Sequence, residues 1–185
     1  RRFLVAVGLF GSGDFAPTLL ILLATQKLTA TYGAPRAATL AVALYLLRNV
    51  FNAGFALVAG WLADRYDKRK LLAGGYALAA LMALLLVLAP MNLPLLAVVF
   101  MLSGIYVAAE EALEDSLAAE LVDPAHHGMG FGVLATVNGV GDFLSSTIVG
   151  FLWAAAGAPA AFAFSAVLFV SGAALVWRLK GPASR

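Results

Sequence analysis

The chain contains no cysteine, which excludes disulfides, thiolate nucleophiles and cysteine-based metal sites. Charge is scarce: 12% of the 185 residues are Asp, Glu, Lys or Arg, against about a quarter in a soluble domain. Histidine is limited to the adjacent pair His126 and His127, in a polar loop with no carboxylate at metal-ligand spacing. The pair reads as solvated, and no metal site is expected. A phosphate-cradling glycine–lysine loop is missing, so ATP-driven transport within this chain is excluded and no cofactor is expected. An intramembrane serine protease needs a histidine inside a span, which excludes the nearest enzymatic reading. The net charge is only +2, and the basic residues form no patch interleaved with aromatics, so nucleic-acid binding has no support. What the chain has in abundance is apolar residues, 63% of the total. That composition describes an integral membrane protein.

A membrane helix needs about 20 mostly apolar residues. Six stretches qualify: 3–25, 37–63, 71–90, 94–119, 129–153 and 159–177. Turn compositions separate them, including Tyr32-Gly33-Ala34-Pro35, the charged run 64–70, and the Pro90–Pro94 turn. The expected fold class is all-α, a single six-helix transmembrane domain over 1–185. Strands of a barrel would be shorter and would alternate in polarity. Arg1, Arg2, Arg65, Lys68, Arg69, Lys70, Arg178, Lys180 and Arg185 fall on one side, and only Lys27 and Arg36 on the other. The positive-inside rule then places both termini and the 64–70 and 120–128 loops in the cytoplasm. Trp61, Trp153 and Trp177 fall near span ends and read as interface anchors.

Ionisable residues inside spans cost several kcal/mol or more unless paired or hydrated, and by default mark function. Asp14, Arg48 and Asp142 lie near the middles of the first, second and fifth spans. Glu110, Glu111, Glu114 and Asp115 form two adjacent stripes toward the cytoplasmic end of the fourth, each an i, i+4 pair. The third and sixth spans carry no charge between Leu71 and Ala89 or between Ala160 and Trp177. The pattern predicts a hydrated cavity lined by spans one, two, four and five, with three and six as outer supports. The structural alternative is a buried ion pair or triad of Asp14, Arg48 and Asp142. Pro17, three residues after Asp14, leaves the Gly13 carbonyl without a donor and predicts a kink. Gly54, Gly74, Gly75, Gly104, Gly139 and Gly141 read as sites of close helix packing.

A twofold echo runs through the spans. Arg48, Asn52 and Gly60 in the second recur at the same spacing as Asn138, Asp142 and Gly150 in the fifth. Two three-helix units related this way have inverted topology, an architecture of many secondary transporters.

After the second span the chain reads Gly60-Trp61-Leu62-Ala63-Asp64-Arg65-Tyr66-Asp67-Lys68-Arg69-Lys70. This resembles the cytoplasmic loop signature of the major facilitator superfamily, Gly-x-x-x-Asp-Arg/Lys-x-Gly-Arg-Arg/Lys. Gly60, Asp64, Arg65 and Arg69 match and Lys68 is a conservative replacement, while Asp67 stands where the family has glycine. The resemblance implies a cytoplasmic gate, in which a helix-end carboxylate caps a neighbouring helix and the bases bind carboxylates or lipid headgroups. Further resemblance points to the C-terminal six-helix half of the family's twelve-helix fold. The chain begins Arg1-Arg2 without methionine, as expected of a segment leaving a central cytoplasmic loop. Gly11-Ser12-Gly13-Asp14-Phe15 resembles the seventh helix of bacterial members. Ala118 to Gly128, followed by Phe131-Gly132, resembles the tenth-to-eleventh junction, with His127 where the family has arginine. The Gly-Pro antiporter motif of the fifth helix is absent.

The resemblance implies a secondary active transporter, or its C-terminal half, moving a small solute across a bacterial cytoplasmic membrane by alternating access. Protons and membrane lipid are the further expected partners. So is a second six-helix half, either the N-terminal half of the same protein or another copy in a homodimer. The expected substrate or proton pathway comprises Asp14, Arg48, Asn52, Glu110, Glu114, Asn138 and Asp142; the gate comprises Gly60, Asp64, Arg65, Lys68 and Arg69. The alternative is a membrane scaffold or sensor that has the fold without the transport.

Overall fold

A computed structural model of the chain describes residues 2–179. Arg1, Lys180 and Arg185, counted above among the basic residues of one side, lie outside them. Seven α-helices follow in order: α1 (Arg2–Gly11), α2 (Pro17–Tyr32), α3 (Ala34–Ala63), α4 (Lys68–Leu88), α5 (Leu93–Leu121), α6 (His127–Ala156) and α7 (Ala158–Trp177), with a short 3₁₀ turn at Pro124–His126 before α6.

The expected continuous first span, 3–25, is corrected. It is two helices separated at residues 12–16, because Gly11-Ser12-Gly13 gives no helix support and Pro17 supplies no N–H. At about 1.5 Å per residue neither piece alone crosses a hydrocarbon core of about 30 Å. Five helices, those from α3 onward, are long and apolar enough to do so. Their bounds differ from the expected spans by up to three residues, and the causes are local. α3 starts at Ala34 because Pro35 fits the first helical turn. α4 starts at Lys68 because the Asp67 carboxylate caps it. Gly33 and Gly157 have left-handed φ of 75° and 85°, and each ends one helix while beginning the next.

Lipid tails are as apolar as leucine, so packing and interhelical hydrogen bonds hold such a bundle together. Here α4 packs on α5 and α7, α3 on α2 and α5, and α1 on α6 and α7. The interior is an aromatic column. Phe10 stacks on Tyr76 with centroids 3.7 Å apart and on Phe169 at 4.6 Å, with Tyr106 edge-on at 6.2 Å. Each such pair contributes about 0.5–1.5 kcal/mol beyond its area.

Within this bundle the charge-free third and sixth spans, α4 and α7, are well packed on one side and carry exposed apolar residues such as Leu81, Leu84, Val167 and Val170 on the other. Half of the apolar window of α4 is buried, and 39% of that of α7, against 17% for α3 and for the α6 span. The lower figures for α3 and α6 leave those two helices with the more open faces of the bundle. Close packing at glycine is found at Gly75, Gly104 and Gly141, whereas nothing lies within 4 Å of a Cβ placed at Gly54, Gly74 or Gly139.

Candidate functional site

The helix break puts Asp14 in the middle of the bundle. Its surroundings satisfy the backbone that the break frees, which non-helical chain at membrane depth requires. The Gly13 and Asp14 N–H groups donate to the Phe10 carbonyl at 2.8 and 3.1 Å, and the Ser12 hydroxyl donates to Gly8 at 2.6 Å. From α6, the Ser145 hydroxyl donates to the Asp14 carbonyl. The two helices come close here because Gly11 and Gly141 face each other; a Cβ on Gly141 would lie 3.0 Å from the Gly11 carbonyl carbon. The Asp14 carboxylate accepts a 2.8 Å hydrogen bond from Tyr106 of α5.

About two turns further along α5 from Tyr106, Glu114 is 1% exposed. Its carboxylate accepts from the Tyr76 hydroxyl of α4 and, at 2.9 Å, from the Asn138 amide of α6. Both partners donate, and a carboxylate is an acceptor at both oxygens, so the three groups match. The other amide atom, Asn138 Oδ1, is buried without a partner among the described residues. Tyr106, Glu110 and Glu114 form one stripe of α5, i, i+4 and i+8. Glu110 between them is half-buried, while Glu111 and Asp115 of the second stripe are exposed. The two carboxylates held by tyrosine, Asp14 and Glu114, thus hang from two members of the aromatic column.

Not every expected residue joins this set. Arg48 is buried and donates from Nε to Ser103 of α5 at 3.0 Å and from Nη1 to Asn49 at 3.3 Å. Asn52 is half-buried, and Asp142 is exposed on α6. The ion pairs among the described residues are Lys68–Glu120 and Arg69–Asp67. The alternative of an ion-paired Asp14–Arg48–Asp142 triad is therefore corrected: neutral hydroxyls and amides hold Asp14 and Arg48, and Asp142 faces outward.

At the loop between α3 and α4, an open cavity of about 940 Å³ is lined by Arg2, Asp64, Arg65, Lys68, Arg69 and Glu120 among others. Asp67, where glycine was expected, caps α4 by accepting from the Arg69 backbone N–H at 3.0 Å, an interaction worth about 1 kcal/mol. The Arg69 guanidinium closes on the same carboxylate at 3.1 and 3.0 Å and donates to the Leu179 carbonyl past α7 at 3.2 Å. Burial alone would raise the Asp67 carboxyl, but these bonds outweigh it and hold its pKa below the ordinary 3.8. Lys68 reaches Glu120 at the end of α5 at 2.6 Å. Arg65 lies over Trp61, 4.1 Å from the ring centroid. Asp64 is exposed at the end of α3, and a Cβ on Gly60 would touch nothing within 4 Å. Capping of the neighbouring helix thus falls to Asp67.

His127 corrects the reading of a solvated pair. Its Nε2 lies 3.1 Å from both the Ala119 and Val122 carbonyls, bridging the last turn of α5 to the first of α6. Both atoms are acceptors, which places the proton on Nε2. Tyr76, Tyr106, Ser103 and Ser145 were not among the expected site residues. The available signal was that each is a polar side chain inside an apolar span.

The Major Facilitator Superfamily profile matches residues 3–185. An uncharacterized MFS-type transporter of Methanocaldococcus jannaschii is 26% identical over 155 residues. The match covers 83% of this chain and 38% of the relative, so the chain spans well under half of that protein's length.

Proposed function

The chain belongs to the major facilitator superfamily, and from that premise we propose that it is the C-terminal six-helix half of a proton-coupled secondary transporter. In this reading α1 and α2 together make the first span, bringing the total to six, and the six spans form a 3+3 inverted repeat. The half sits in a bacterial cytoplasmic membrane with both termini in the cytoplasm. A small solute binds near mid-depth between this half and a second one and is released by alternating access. Asp14, Arg48, Asn52, Glu110, Glu114, Asn138 and Asp142 line the path; Gly60, Asp64, Arg65, Lys68 and Arg69 act at the cytoplasmic gate.

The observation that carries the proposal is the pair of tyrosine-held carboxylates in the bundle, one of them at a helix break. Half-helix ends at mid-depth are where many transporters bind their cargo. A carboxylate held by hydroxyl and amide groups without an ion-pair partner within 4 Å can be neutralised by a proton. The face that would meet a second half is also present. On α3, Leu46, Val50 and Leu57 are exposed, and on α6, Phe143 and Phe151 flank the region of Asp142. Acids on such a face require a protein partner or water, not lipid. The short span relative to the archaeal transporter supports a missing half.

The test is proton movement into liposomes that contain the full-length protein and a trapped pH indicator, triggered by a small-molecule extract of the source cells. Wild type should give extract-dependent acidification, and Asp14→Asn should reduce it to the level of empty liposomes. Equal rates in both would overturn proton coupling through Asp14.

A further inference from the structure

Arg48 is the one basic residue inside the five long spans among the described residues away from their ends, and only 8% of it is exposed. A buried guanidinium is costly unless an anion accompanies it. Among the described residues no carboxylate lies within 4 Å of it: the ion pairs lie at the α3–α4 loop. No acid of the described residues pairs with it directly, and Glu110 is half-buried without an ion pair. Tyr106 holds Asp14, Tyr76 and Asn138 hold Glu114, and Asp142 is exposed.

The neutral contacts fix how the guanidinium is presented. Nε is used by Ser103 and one Nη1 hydrogen by Asn49, two of the five N–H groups that arginine carries. The position is tightly packed, because α3 and α5 cross at Gly104, where an added Cβ would overlap the Arg48 carbonyl oxygen. What remains free is the outer edge of the fork, the second Nη1 hydrogen and both on Nη2. The buried side-chain atoms without a partner among the described residues are Asn138 Oδ1 and Ser165 Oγ. Nη2 is not one of them, so it reaches accessible space. Two parallel N–H groups on one edge match the two oxygens of a carboxylate or phosphate.

We infer that the transported solute carries a carboxylate or phosphate-type oxyanion, and that Arg48 holds it through the free edge of its guanidinium. This rests on the transporter reading and names the class of solute. Depth excludes a lipid headgroup as the source. Arg48 lies about 20 Å along α3 from either end at about 1.5 Å per residue, well away from the interfaces.

Melting curves of the purified full-length protein test this, with potassium acetate, sulfate or phosphate titrated against chloride at matched ionic strength. At least one oxyanion should raise the wild-type melting temperature saturably, beyond its effect on Arg48→Gln. Comparison with that variant removes general salt effects. Arg48→Lys keeps the charge without the fork and should need about tenfold more of the same anion. It also serves as the comparison should the glutamine variant fail to fold. Identical titrations of wild type and variants would overturn the anion site. That result beside an intact extract-driven proton flux would leave the transporter reading standing. An Arg48-dependent shift without any flux would overturn transport and keep the anion site.

Discussion

Gly104→Val should lower the melting temperature of the full-length protein by roughly 6–12 °C, taking a cost of about 3 kcal/mol and 2–4 °C for each. A Cβ at Gly104 would overlap the Arg48 carbonyl oxygen and lie 3.0 Å from both the Asn52 nitrogen and the Phe51 Cβ. Two of these three atoms are backbone, so no rotamer change relieves the contact and α3 must move off α5. The movement also pulls Arg48 from Ser103 on the neighbouring turn. Gly60→Val is the matched control, because a Cβ there meets nothing within 4 Å. If the two variants melt together, the crossing at Gly104 is not the tight contact described.

Glu114→Gln should separate folding from function. Its carbonyl oxygen can still accept from Tyr76, and its amide can donate to Asn138 Oδ1, the buried acceptor that lacks a partner, once the Asn138 amide turns over. The flip exchanges which Asn138 amide atom lacks a partner and adds no new unpaired group, so the melting temperature should stay within a few degrees of wild type. The variant has no carboxylate to take up a proton, and extract-driven proton flux should fall to background. Glu114→Ala leaves Tyr76 and Asn138 without an acceptor and should lose stability as well, by about 1–3 kcal/mol. Full flux in Glu114→Gln would remove Glu114 from the proton path and leave it a structural tie between α4, α5 and α6.

How far the sequence foretells this arrangement depends on the kind of signal. Length and apolarity suffice for the five spans from α3 onward, since a continuous apolar run has few other folds. The break at 12–16 was visible only as a kink at Pro17. Whether a helix bends or stops there depends on neighbours, and here Ser145 and Tyr106 hold the freed groups. Buried acids were legible as charges out of place, but their partners were not. Tyr76 lies in a span with no charge at all, and only packing of α4 on α5 brings its hydroxyl to Glu114. Tyr106 could have been found from its own helix, being four residues before Glu110. Absence of charge in α4 and α7 suits the inside of a dry bundle as well as a lipid-facing surface, and each helix has one packed and one exposed apolar side. His127 needed the α5–α6 corner, whose geometry no spacing rule supplies.

Because the chain has no cysteine, single cysteines report directly on whether the face bearing Asn52 and Asp142 is a water path. In the full-length protein, with any cysteines outside this chain first removed, Asn52→Cys and Asp142→Cys should react with a membrane-impermeant thiol reagent added from either side. A cysteine at Val170, exposed on the charge-free α7, should not. Reaction at Asn52 and Asp142 from both sides is the result that alternating access predicts. Silence at both positions, with Val170→Cys equally silent, would place that face in lipid or sealed protein and contradict the account.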